Sequence, residues 1–122
     1  GFHFNMITPN TDIKINENSA AFTFGSIEQL GGQFKNFISY LIDNKPKICF
    51  HIEPTVENYN SDNLFDYLQI EFHTKRGYTE GLLPYLQDLE SKGTIKIIKN
   101  NRFNFGSKFM EGYHLYVWEM EW

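Results

Sequence analysis

The sequence predicts one α/β domain over residues 1–122, with parallel strands joined by helices and a closing antiparallel hairpin. Three observations predict it. Ile48, Cys49, Phe50 and Ile52 form a short continuous apolar run, the pattern of a central strand covered on both faces. Strand-like and helix-like segments alternate as far as Gly93, which implies right-handed crossovers between parallel strands. Beyond Gly93 no helix separates the last two strand-like segments, so they pair antiparallel across a long connection.

Each element follows from local pattern. Phe2, Phe4 and Met6 alternate with His3 and Asn5, the period of a half-buried strand. Residues 9–12 are turn chemistry, Ile13 and Ile15 suggest a short extended piece, and residues 16–19 form a loop. Ala20 to Phe24 reads as a strand ending at Gly25. Ser26 and Gln29 have the spacing of a capping box, weakened by Gly31-Gly32. Phe34, Phe37, Ile38 and Leu41 then recur at helical spacing until Asn44 and Pro46. After the strand Lys47 to Ile52, Glu53-Pro54 stops it and a polar loop carries Glu57 and Tyr59.

Asp62 to His73 reads as a second helix, with Phe65, Leu68 and Phe72 inward and Ser61 or Asp62 as its cap. Lys75-Arg76-Gly77-Tyr78 breaks it. Thr79 caps a third helix that turns Leu82, Leu83, Leu86 and Leu89 inward, with Pro84 in its first turn and Gly93 past its end. Thr94 to Lys99 is a strand, Asn100 to Gly112 a long polar excursion containing Phe103, Phe105 and Phe109, and Tyr113 to Met120 the final strand.

Composition narrows the function classes. The net charge is −4 and the only adjacent basic pair is Lys75-Arg76, which argues against a nucleic-acid partner. Cys49 is the single cysteine and lies in an apolar run, so it reads as an inert buried thiol. No stretch reads as a signal peptide and no apolar stretch reaches the ~20 residues a membrane span needs, so no membrane partner is expected and the cytoplasm is the simplest location. Aromatic residues make up 17 %, with 12 Phe and 7 Tyr, more ring surface than a small domain hides. Some is expected to face a ligand, a partner chain or another part of the same protein. The chain opens on Gly1 and enters a strand-like run at once, as expected of a piece cut from a longer protein or of a Gly1 cloning remnant.

Several segments resemble the second half of class I S-adenosylmethionine-dependent methyltransferases. Ala21 to Leu30, with Thr23, Ser26, Glu28 and Gln29, resembles the strand and loop beneath the cofactor pocket. Cys49 to Pro54, with Glu57 and Tyr59, resembles the next strand and its loop. Residues 63–68 with His73, Lys75, Arg76, Gly77 and Tyr78 resemble the helical segment that follows. Residues 105–107 with 111–113, Val117 and Trp118 resemble the closing hairpin. The resemblance runs from about Ala20 to the end and implies a partial Rossmann-like sheet. One departure matters: the family builds its cofactor site on a Gly-x-Gly-type loop after the first strand, and this sequence has none. S-adenosylmethionine is therefore the implied cofactor of a longer parent, and these residues alone are expected to be inactive.

Ligands in open α/β sheets bind outside the carboxyl ends of the strands, which selects Gly25, Ser26, Glu28 and Gln29 and then His51, Glu53 and Glu57. Under the resemblance, Ser26, Glu28 and Gln29 are cofactor-binding, with plain helix capping as the alternative for Glu28 and Gln29. A hydroxyl acceptor needs a base, and His51 or Glu53 is expected to supply it. Glu57, Tyr59, His73, Arg76 and Tyr78 are expected to line an acceptor pocket, Arg76 meeting a carboxylate or phosphate. The acceptor class is a small molecule or a sugar.

His51-x-Glu53 matches the start of a zinc-deaminase signature, but one cysteine cannot supply the rest. His3, His51, His73 and His114 lack tight ligand spacing, so no metal is expected. The alternative is a free-standing α/β ligand-binding or interaction module without catalysis. A homo-oligomer formed through an unpaired strand edge or aromatic face is expected.

Overall fold

In a computed structural model, which describes residues 1–107 and 110–121, four strands form one mixed sheet. The first strand, β1 (Ala20–Phe24), pairs in parallel with β2 (Ile48–Glu53), Ala21 opposite Cys49 and Phe24 opposite Ile52. The long closing hairpin consists of β3 (Ile95–Ser107) and β4 (Met110–Met120). β4 pairs antiparallel with both β2 and β3, giving the order β1-β2-β4-β3. β3 consequently runs in the same direction as β1 and β2.

Three helices connect the strands: α1 (Lys35–Asn44), α2 (Leu64–Arg76) and α3 (Leu82–Ser91), with a short 3₁₀ turn at Ile27–Leu30. Phe37, Ile38 and Leu41 of α1 and Leu82, Leu83 and Leu86 of α3 pack on Cys49, Tyr116, Trp118 and Ile95 of the sheet. Leu82 and Leu86 are fully buried, each burial contributing roughly 1.5–3 kcal/mol. Alternation along the strands puts Phe22, Phe24, Phe50, Ile52 and Leu115 on the other face. There Phe22 and Phe24 are exposed and Phe50, Ile52 and Leu115 half-buried, so β2 is central but deeply covered on one face only. Among the described residues no helix is long and apolar enough to cross a membrane.

Four local expectations are corrected. Phe2 to Met6 and Ile13 to Ile15 are not strands. The Asn5 side chain accepts the Ile7 amide and Asn10 accepts that of Asp12, local bonds that compete with a sheet ladder. The segment lies instead along α1, with Phe4 4.9 Å from the Tyr40 ring and the Tyr40 hydroxyl donating to the Ile13 carbonyl.

The polar excursion from Asn100 is largely strand. Asn101 pairs with Leu115 and Arg102 with His114, with register shifts between Ile97 and Lys99 and between Phe103 and Gly106. An antiparallel ribbon tolerates polar residues on a face that meets water, so their abundance did not signal a loop. The expectation for Phe109 lies outside the described residues.

α2 presents the opposite face from the one expected. Leu64, Phe65 and Leu68 are exposed, while Asp66, Gln69 and His73 are buried. The inward polar side is stabilised by Arg102, which makes two bonds to Asp66 at 2.9 and 3.0 Å, and by the Asn60 amide on the same carboxylate. The arginine holds Asp66 below the usual carboxylate range.

The caps also differ. Asn63, not Ser61 or Asp62, caps α2 by accepting the Asp66 amide, and Gly81, not Thr79, occupies the cap position of α3. Ser26 makes no side-chain cap.

Candidate functional site

The carboxyl ends of β1 and β2 lie side by side. The ladder continues one residue past β1, where the Gly25 amide donates to the Ile52 carbonyl at 2.9 Å. Gly25 has a φ of 58°, and a Cβ there would stand 3.4 Å from Glu28 Oε1. Glycine thus permits both the left-handed turn and the close approach of Glu28.

Glu53, the last residue of β2, is fully buried and organises that turn. Its Oε1 accepts the Ser26 and Ile27 amides at 3.2 and 3.1 Å, and its Oε2 accepts the Glu28 amide at 3.2 Å. These are the free amides of the 3₁₀ turn, and a strand-end carboxylate takes the place of a local cap. Burial pushes the Glu53 carboxyl above its ordinary value, against the lowering pull of those amides and of the Thr23 hydroxyl. Thr23 Oγ1 also lies 2.8 Å from His51 Nδ1. With the hydroxyl donating to Glu53, it accepts from a protonated Nδ1, which leaves His51 Nε2 as a buried acceptor with no partner among the described residues. Burial drives the His51 imidazole down to about 3, so it is neutral at ordinary pH.

A cleft of about 310 Å³ opens above this layer. Glu28, His73, Arg76 and Tyr78 line it, together with Phe72 and Tyr113. The Gln29 amide donates to Glu28 Oε1 at 3.0 Å and leaves the other carboxylate oxygen without a hydrogen bond among the described residues. On the opposite wall α2 ends in the left-handed Gly77, with φ 66°. That turn swings Tyr78 back beside His73, ring centroids 5.5 Å apart. The Arg76 guanidinium lies 5.0 Å above the Phe72 ring. Thr79 Oγ1 donates to the Ile27 carbonyl at 2.6 Å, joining the two walls. Tyr113 also stacks on Phe24, and burial, reinforced by Glu28, raises its hydroxyl above the ordinary tyrosine value.

No protein-family model, no curated protein and no solved structure matches the chain.

The residues selected from sequence therefore separate into three groups. Glu28, His73, Arg76 and Tyr78 meet at the cleft, and Ser26 and Gln29 border it through the turn. His51 and Glu53 lie beneath it in the interior and do not line it. Glu57 and Tyr59 lie outside the lining as well. Glu57 Oε1 accepts the Gly81 amide, while Tyr59 packs against His73 and His114 with Arg102 stacked on its ring. Beside them Thr55 Oγ1 meets His114 Nδ1 at 3.0 Å and bonds the Tyr116 hydroxyl, a second buried polar cluster. Among the described residues no group of three or more His, Cys, Asp or Glu can hold a metal.

Phe72 and Tyr113 were missed as cleft residues. Phe72 looked like part of a buried stripe, and Tyr113 was the first residue of a strand read as starting there. Only the reversed face of α2 and the longer β4 reveal them.

Proposed function

We propose that this chain is the second half of a class I S-adenosylmethionine-dependent methyltransferase domain, and that the cleft is the pocket for a small-molecule or sugar acceptor. One observation carries the reading: the tips of two adjacent parallel strands, at Gly25 and Glu53, sit side by side, with the cleft directly above. The layout supports it as well, since a parallel pair followed by an antiparallel hairpin is what the sequence resemblance implies. The exposed Phe22 and Phe24 and the uncharged edge strand Ala20–Phe24 are surfaces that a first half of the sheet, with its helices, would cover.

The residues present fit one side of the cofactor. The Ser26, Ile27 and Glu28 amides are already taken by Glu53, so this turn has no amide cradle left for an anionic group. What remains are acceptors, the Ser26 hydroxyl and the Gln29 side-chain carbonyl, suited to the hydroxyls of S-adenosylmethionine. Bound, the cofactor supplies a methyl group activated by its sulfonium.

The chain's own residues then have three tasks. Glu53 fixes the turn and is a positioning residue. Phe72, Tyr78 and Tyr113 exclude water and orient the acceptor. Glu28 is the carboxylate exposed to the cleft and takes the proton from an acceptor hydroxyl, a task for which His51 and Glu53 are too deep. The same uncovered edge and face would pair with a second copy when the first half is absent, so the isolated chain forms a homo-oligomer. A cytoplasmic location suits a protein with one buried free thiol.

Calorimetry with S-adenosylhomocysteine tests the reading. The longer protein that contains these residues should bind it, and the 122-residue chain alone should not. Absence of binding by both overturns the reading and leaves the cleft as the site of a non-catalytic binding module.

A further inference from the structure

We propose that the cleft selects an anionic hydroxylated ligand, whose carboxylate or phosphate is held by the Arg76 guanidinium while a ligand hydroxyl meets Glu28. The inference names the acceptor class of the proposed pocket and so rests on reading the cleft as an acceptor site.

The two arginines of the chain occupy different electrostatic situations. Arg102 is committed, with two bonds to the Asp66 carboxylate and its guanidinium over the Tyr59 ring. Arg76 forms no ion pair among the described residues, where the recorded pairs are Lys92–Asp88 and Arg102–Asp66. Its guanidinium lies over the face of Phe72, at 5.0 Å. A cation held over a ring face keeps its N–H donors for other partners. The guanidinium fork suits the two oxygens of a carboxylate or phosphate, and charge-assisted bonds of that kind are about twice as strong as neutral ones.

The rest of the cleft matches the other end of such a ligand. Glu28 offers a carboxylate oxygen with no hydrogen bond among the described residues. Phe72 and Tyr78 pack edge to face, ring centroids 6.5 Å apart, and give the cleft an apolar flank beside its charged groups. A volume of about 310 Å³ admits one monosaccharide-sized group, at the small end of ligand pockets. One cation and one anion lining the same cleft also disfavour a neutral apolar ligand, which would desolvate both without compensation.

Titration of the 122-residue chain with glucuronate, glucose 6-phosphate, glucose and inorganic phosphate, followed by NMR amide shifts without any cofactor, tests this. Glucuronate or glucose 6-phosphate should shift the amides of Glu28, Arg76, Tyr78 and Tyr113 and bind at least about tenfold more tightly than glucose, the usual scale of one charge-assisted contact. Which of the two binds identifies carboxylate or phosphate as the anionic group. Arg76→Gln should abolish that preference, and Arg76→Lys should restore only part of it. Equal binding of glucose, inorganic phosphate binding as tightly as either sugar anion, an unchanged preference in Arg76→Gln, or no binding of any probe overturns the proposal. These readouts need no S-adenosylhomocysteine, so failure here and failure of the methyltransferase reading are separate results.

Discussion

Glu53 Oε1, at the end of β2, accepts the Ile27 amide at 3.1 Å, across from the turn that leaves β1. A buried carboxylate thereby takes over the capping of an element far from it in sequence. The position of Glu28 at the cleft follows from that bond and its two companions.

Replacing Glu53 by Gln keeps the shape but points an NH₂ donor at amides that are donors themselves. The expected loss is about 1–3 kcal/mol of stability, the penalty for buried polar groups left unsatisfied. Urea unfolding should show a lower midpoint at an unchanged slope. A midpoint equal to that of the parent chain would show that Glu53 does not hold the turn.

His51 gives a pH signature. Unfolded, its imidazole takes up a proton near its ordinary 6.5; folded, it does so only near about 3. The unfolded chain therefore binds more protons within that window. The stabilisation is complete above 6.5 and declines as pH falls toward 3, by up to ~1.4 kcal/mol per pH unit. Glu53, raised by burial, tilts the curve the other way above the ordinary carboxylate range, so the informative quantity is the difference between the parent chain and His51→Gln. That difference should shrink on acidification; a flat difference across the window contradicts the buried neutral imidazole.

Cys49 is fully buried, and burial pushes its thiol up to about 12. Thiolate is the reactive form, so native protein should resist iodoacetamide at pH 8 and react only at the rate of unfolding. Rapid stoichiometric labelling under native conditions would mean that the sheet opens locally at β2.

The isolated chain should self-associate through β1. Ala20–Phe24 is an uncharged edge with Phe22 62 % and Phe24 47 % exposed, whereas the opposite edge carries Lys96, Lys99 and a bulge. Sedimentation at rising concentration should show dimers or larger species, and Phe22→Lys should shift them toward monomer. A clean monomer at high concentration in the parent chain removes this expectation.

The sequence reveals elements better than contacts. The strands at Ala20–Phe24 and Ile48–Glu53 and the helices carrying Phe37 and Leu86 are legible because apolar periodicity reports directly on burial. α2 misleads because its buried face is polar: Asp66 goes inward for the sake of Arg102, a partner 36 positions away that no local pattern predicts. Glu53 and His51 stand out in the sequence as strand-end candidates for a base, and in the structure their partners are backbone amides and a threonine. Sequence cannot tell a carboxylate that meets a ligand from one that holds a turn. Arg76 and Tyr78, by contrast, flank a helix break at Gly77, and such breaks put side chains at the rim of a cleft.

The bond from Thr79 to the Ile27 carbonyl has a mechanical consequence. It pins the segment after α2 to the turn after β1, so Tyr78 and Glu28 travel as parts of one rigid frame rather than as independent jaws. A gap braced in this way keeps its width. Ligands would then be sorted by size on arrival, rather than by hinge closure of the braced sides.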